Sequence, residues 1–182
     1  MEISKDYLKT AEKDVNDLTK IHKTYWDEPR YQILKKFCLG AKKILSVGCG
    51  PKEPTIIHAS HACDITRLSY EYLKKLGWMG QFFISSCDKI GAMDKEFEIV
   101  VCSEVIEHLP DFEFVKKTFH EVARVGKRWI ITTPNSAVIF PKNQNPSHKQ
   151  FFTLESIKKI IPFPCKIYTN DHHIYMENLE NE

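Results

Sequence analysis

The sequence predicts an α/β fold: a doubly wound, mainly parallel sheet covered by helices on both faces. Three observations carry this. From residue 43 onward, short apolar runs of strand length alternate with segments of helical period. Most of those runs are apolar on both sides of the alternation, as buried parallel strands are. The length, 182 residues, suits one domain with a well-buried core.

Residues 2–22 carry Ile3, Tyr7, Ala11, Val15, Leu18 and His22 at near-helical spacing on a charged background. Glu28 to Leu39 is a second helix, with Pro29 in its first turn, Tyr31, Leu34 and Cys38 on one face, and Gly40 as a stop. Residues 1–40 form a helical lead-in or lid to a single domain over 41–182. Tyr25 and Trp26 belong either to that lid or to the core. Strands follow at 43–47, 58–64, 81–87, 97–104 and 128–134, with helices at 66–77 and 112–126 between them. Phe112, Val115, Phe119 and Val122 stripe the second of these helices. Thr153 caps a helix over 154–161, and 165–169 with 173–179 read as a final pair of strands, a hairpin. In such sheets ligands bind beyond the carboxyl ends of the strands, where the topology switches.

Composition narrows the function. With 42% hydrophobic and 27% charged residues the chain is a globular protein rather than a disordered one. No run approaches the roughly 18 apolar residues of a membrane span. The polar N-terminus lacks a signal-peptide pattern, so a cytoplasmic protein is expected. The net charge is +2, and the lysine pairs (Lys35-Lys36, Lys74-Lys75, Lys116-Lys117 among them) read as solvated helix faces rather than a nucleic-acid track. The expected partner is a small molecule. Six scattered cysteines without a CxxC pair read as buried thiols in a reducing compartment.

The most informative segment is ILSVGCGP, 44–51, a strand running into a glycine turn. Gly48 and Gly50 let the chain bend and let a ligand approach the backbone. A dinucleotide fingerprint would continue to a third glycine, but position 53 is Glu53, and Pro51 and Pro54 each remove an N–H. A carboxylate there opposes a pyrophosphate at a helix N-terminus, so a nicotinamide-dependent dehydrogenase is disfavoured. Asp64 ends the second strand, either as an acceptor for sugar hydroxyls or as a helix-start acid.

LSVGCGP, CDIT, EIVVCSEVIEHLPD and WIITTPN, in this order and spacing, resemble the class I S-adenosylmethionine-dependent methyltransferases, most of all the group with GCG and EVIEHL signatures. The resemblance runs from about residue 42 to 161. It implies a Rossmann-like, three-layer α/β/α domain on a seven-stranded sheet with an antiparallel C-terminal strand, and S-adenosyl-L-methionine as cofactor. It also implies that Gly48, Cys49 and Gly50 line the methionyl end, that Asp64 holds the ribose, and that Cys87 and Asp88 lie beside the adenine. Ser103 and Glu104 would lie along the middle. Two departures stand out. Ser46 occupies a position where the family usually has an acid, which also suggests a cofactor-binding protein without turnover. Only 13 residues separate Gly50 from Asp64, so the helix there is cut to about a turn.

Methyl transfer is an in-line displacement that needs alignment and exclusion of water. A base is needed only for a hydroxyl or protonated amine acceptor. No Asn/Asp-Pro-Pro-Tyr/Phe motif follows the fourth strand, which points to an oxygen, carbon or small-molecule nitrogen acceptor. Glu104, Glu107 and His108 form ExxEH, and a helix starting near 104 would put them on one face. His108 is then a general base, a brace for the loop before Pro110, or, with Glu104, Glu107 and His148, a ligand of a divalent metal of the kind a similar ExxEH implies in small-RNA and ubiquinone-pathway methyltransferases. The catalytic candidates are thus His108, Glu107 and His148, with no metal site assigned. His148 sits in the long polar loop 134–153, which would face the acceptor.

Overall fold

A computed structural model describes residues 5–20, 29–139, 146–170 and 172–179. Its centre is a seven-stranded sheet of β1 (Ile44–Val47), β2 (His61–Asp64), β3 (Gln81–Ile84), β4 (Phe97–Ser103), β5 (Gly126–Pro134), β6 (Lys166–Asn170) and β7 (His173–Glu177), in the order β3-β2-β1-β4-β5-β7-β6. Strands β1 to β5 pair in parallel, and β7 runs antiparallel to both β5 and β6. The doubly wound architecture and its antiparallel C-terminal strand are as the sequence predicts.

The apolar sets of the strands sort to two faces by parity. Ile44, Ile99, Val101 and Ile130 meet Tyr31, Leu34 and Cys38 of α2 (Pro29–Cys38) and Ile56 of α3 (Glu53–Ile56). On the same side, Ala62 packs with Leu73 of α4 (Arg67–Lys75). The opposite face gathers Leu45, Val47, Val100 and Ile131 under Val115, Phe119 and Val122 of α5 (Phe112–Val125) and Ile157 of the C-terminal helix Leu154–Ile160. That makes three layers. Phe112, expected in the buried stripe of α5, is instead about half exposed, because it opens the helix beyond the sheet.

Local signals set the boundaries. Thr66 caps α4 by accepting from the Leu68 N–H, and Asp111 caps α5 by accepting from the Phe114 N–H. Thr153 and Ser156 form a capping box on the C-terminal helix. Three readings shift. β2 begins at His61 rather than 58, because His58 takes a left-handed conformation (φ 55) behind α3. β3 stops at Ile84, ahead of a turn bridged by Ser86 and Lys89. A one-turn helix, Ser136–Ile139, interrupts the loop after β5.

The N-terminal helix α1 (Lys5–Lys20) lies across the carboxyl edge of the sheet. It is held there by Lys52 Nζ donating to the Leu18 carbonyl (2.9 Å) and by Tyr72 Oη donating to Asn16 Oδ1 (3.0 Å). Ile3, His22, Tyr25 and Trp26 lie outside the described residues. Among the described residues no helix is long and apolar enough to cross a membrane. All six cysteines are free, and five are buried.

Candidate active site

The connections after β1 and β4 leave on opposite faces, so a crevice opens between the carboxyl ends of these neighbours. There lies a cavity of about 530 Å³, roofed by Tyr7, Ala11, Asp14 and Leu18 of α1. That volume is in the usual range for a cofactor-sized ligand.

One wall is the glycine turn. Gly48 and Gly50 both adopt left-handed backbone (φ 60 and 54), which costs a side-chain-bearing residue about 1–2 kcal/mol. A Cβ on Gly48 would lie 2.6 Å from Val105 Cγ2, so the turn after β1 and the turn after β4 are packed against each other. A Cβ on Gly50 would meet nothing nearer than Leu18 Cδ1 at 3.9 Å, leaving room for a ligand against this backbone. Between them the Cys49 N–H donates to the Cys63 carbonyl (3.1 Å), and its thiol is buried with a pKa pushed up by that burial.

Asp64 acts as the helix-start acid, one of the two roles the sequence leaves open, and it also lines the cavity. Its carboxylate accepts from the Gly50 N–H (3.1 Å), the Thr66 N–H (3.2 Å) and the Ser69 hydroxyl (2.9 Å), tying the glycine turn to the start of α4. Burial raises its pKa, and these donors pull it back. The Cys49 thiol approaches the same carboxylate at 4.0 Å. Cys87 also lines the cavity and takes the Thr118 hydroxyl at 3.3 Å. Asp88 is not among the lining residues; it accepts from the Ser86 hydroxyl.

The chain after β4 departs from the expected helix. Glu104 has a left-handed backbone (φ 57), and a single 3₁₀ turn, Ile106–His108, follows. Glu104 therefore points away from the other two members of ExxEH. It lies 3.7 Å from Arg30 and 3.4 Å from His173, and the Thr132 hydroxyl is 2.9 Å from both Glu104 Oε1 and Ser103 Oγ. Burial pushes the Glu104 carboxyl up, but Arg30 and His173 outweigh it and hold it down at about 2. Ser103 accepts from Arg30 Nη1 at 3.0 Å.

Glu107 and His108 come together with His148 instead. Donor atoms of these three lie within 4.8 Å of one another. Glu107 is buried; its Oε2 accepts from the Thr133 hydroxyl (3.1 Å), while Oε1 has no hydrogen-bond partner among the described residues. Its backbone carbonyl accepts from the Lys149 and Gln150 N–H groups (2.8 and 2.9 Å), which fixes the segment carrying His148. Burial and the Glu104 charge raise the Glu107 carboxyl well above its ordinary value. His108 Nδ1 is 3.1 Å from the Ser147 hydroxyl, its ring meets His148 edge-on at 4.8 Å, and burial lowers its pKa. His148, lowered to about 4 by burial and by His108, is neutral at pH 7 as well.

Arg30, Glu53, Asp14 and Ser147 also line the cavity, and none carried a motif. In the sequence Glu53 stands out only where a third glycine would be, and Arg30 carries no signal of its own.

The cavity fits S-adenosylmethionine on its own chemistry: a glycine wall free of Cβ atoms, buried carboxylates for hydroxyl and cationic groups, and no phosphate nest. The comparisons agree. The methyltransferase-domain family matches residues 45–129. A possible histamine N-methyltransferase from Thermotoga maritima superposes with a TM-score of 0.73 at 13% identity, over 96% of this chain and 100% of that one. A methyltransferase from Aquifex aeolicus gives 0.69 at 16% identity, over 91% and 96%. The N-methyltransferase NodS from Bradyrhizobium japonicum, solved with S-adenosyl-L-homocysteine, gives 0.69 at 10% identity, over 94% and 96%. No curated protein matches the chain. At these identities the structural likeness establishes the fold, the one these S-adenosylmethionine-dependent methyltransferases share, and over residues 45–129 the chain is similar to the methyltransferase-domain family.

Proposed function

We propose that the chain methylates a small-molecule acceptor, with His108 as general base. The observation that carries this is the imidazole of His108 on the wall of the cavity that the glycine turn also lines; burial holds its pKa below the ordinary value. Gly48, Cys49 and Gly50 hold the methionyl end, Asp64 the ribose, and Cys87 the adenine side, with Ser103 and Glu104 between. When bound, S-adenosylmethionine supplies an electrophilic methyl group on a sulfonium. The chain's own residues align the acceptor and exclude water beneath α1. Ser147 fixes the His108 ring, leaving one nitrogen for an acceptor hydroxyl or amine proton; Glu107 and His148 shape the acceptor's side. A cavity of this size has to take cofactor and acceptor together, which favours a small acceptor.

A labelled-cofactor screen over hydroxyl- and amine-bearing small molecules tests this. On a substrate so found, His108→Asn should cut turnover while S-adenosylhomocysteine binds as to wild type; general bases are worth about 10²–10⁴-fold. Equal turnover in the variant would remove His108 from that role. One observation favours a second reading, a divalent ion held by Glu107, His108 and His148: the buried Glu107 Oε1 accepts no hydrogen bond among the described residues and lies 3.9 Å from His108 Nε2. Activity abolished by chelator and restored by magnesium, manganese or zinc would replace the base with that metal.

A further inference from the structure

The cavity floor, where α2 and α3 meet the ends of β1 and β4, concentrates buried acid. Glu53, Glu104 and Glu107 line it, and among the described residues Arg30 is the buried cation. Arg30 reaches toward β4, with Nη1 on Ser103 and 3.7 Å from Glu104. The nearest lysine in sequence, Lys52, extends to the Leu18 carbonyl of α1.

Glu53 is 5% exposed and forms part of the cavity wall, three residues beyond Gly50. Ser46, fully buried in the middle of the sheet between Ala62 and Val101, donates its hydroxyl to Glu53 Oε1 at 2.8 Å. The two residues therefore form one unit: a carboxylate delivered by the shortened α3 and oriented from the sheet by a hydroxyl. Burial pushes the Glu53 carboxyl up to about 7, against the pull of Arg30 and of the Ser46 and Ser103 hydroxyls. A carboxylate this costly to ionise is relieved by a ligand cation.

We propose that Glu53 binds the ammonium group at the amino-acid end of the cofactor, with Ser46 as the positioning residue that fixes its carboxylate. The proposal rests on the methyltransferase reading of the same cavity. It also accounts for Ser46. An acid there would crowd the Glu53 carboxylate, whereas a hydroxyl hands the charge forward by the length of one hydrogen bond.

Calorimetry on the full chain decides it, using S-adenosylhomocysteine and its analogue lacking the α-amino group. Wild type should bind the amino form roughly tenfold or more tightly, the scale of one charge-assisted hydrogen bond. Glu53→Gln should erase that preference while the deamino analogue binds within about twofold of its wild-type affinity, and Ser46→Ala should shrink it. Equal binding of both ligands by wild type overturns the proposal, as does a Glu53→Gln variant that weakens both ligands alike. Should Glu53→Gln fail to fold, Glu53→Asp, which withdraws the charge by one methylene, must also shrink the preference; a preference kept in full is a contradiction. Wild type binding neither sulfur ligand removes the cofactor reading itself, whereas the other contrary results leave it standing.

Discussion

Asp64 ties the glycine turn to the start of α4 and lines the cavity with the same carboxylate. The Gly50 and Thr66 N–H groups, the Ser69 hydroxyl and the Cys49 thiol all reach its carboxylate, so Asp64→Ala strands them. Each buried group left unsatisfied costs about 1–3 kcal/mol. Asp64→Ala should therefore lower the melting temperature as well as cofactor affinity; a variant as stable as wild type would show that water replaces the carboxylate without cost. His108 gives the pH prediction. Its pKa lies below the ordinary value because burial penalises the charged ring, so the neutral form that the proposed base requires persists into mildly acid solution. Turnover should fall as pH drops through that lowered pKa, and the acid limb should disappear in His108→Asn. An acid limb unchanged in the variant assigns it to another group.

At the scale of elements, the site is two turns locked together. Gly48 and Val105 follow β1 and β4, and their contact sets how far apart the cofactor wall and the ExxEH segment stand. Gly48→Ala adds left-handed strain and a clash, together about 2–5 kcal/mol. Val105→Ala in the same chain should recover the clash and leave the strain. No recovery in the double variant, by melting temperature, would mean that the Val105 contact is not the obstacle. This coupling marks the limit of the sequence. The GxG turn and its strand are legible because only glycine tolerates the backbone there, and the amphipathic period of α5 gives its helix. ExxEH is misleading because helical spacing assumes a regular helix, whereas Glu104 is turned by its left-handed backbone toward Arg30 and His173, 74 and 69 residues away in sequence. Contacts of that separation leave no local pattern. Glu53 is hidden for a related reason: it is conspicuous only as something other than glycine, and its purpose appears once Ser46 is seen beneath it.

For the whole molecule, the alternation of strands and helices predicts the architecture, and the strand order opens a crevice between β1 and β4, where ligands bind in sheets of this kind. What that ligand is follows from the chemistry of the crevice. α3 begins with Glu53 and Pro54, which present a carboxylate and a missing N–H where a pyrophosphate needs donors, while Asp64 and the glycine turn offer what a sulfonium nucleoside needs. A ligand at about a hundred times its dissociation constant stabilises the fold by about 2.7 kcal/mol, several degrees in melting temperature for a chain of this size. The most direct test is a calorimetric titration of the full chain with S-adenosylhomocysteine and, separately, with NAD. The account predicts saturable binding of the sulfur nucleoside with a matching rise in melting temperature and none with NAD; tighter binding of NAD would contradict it.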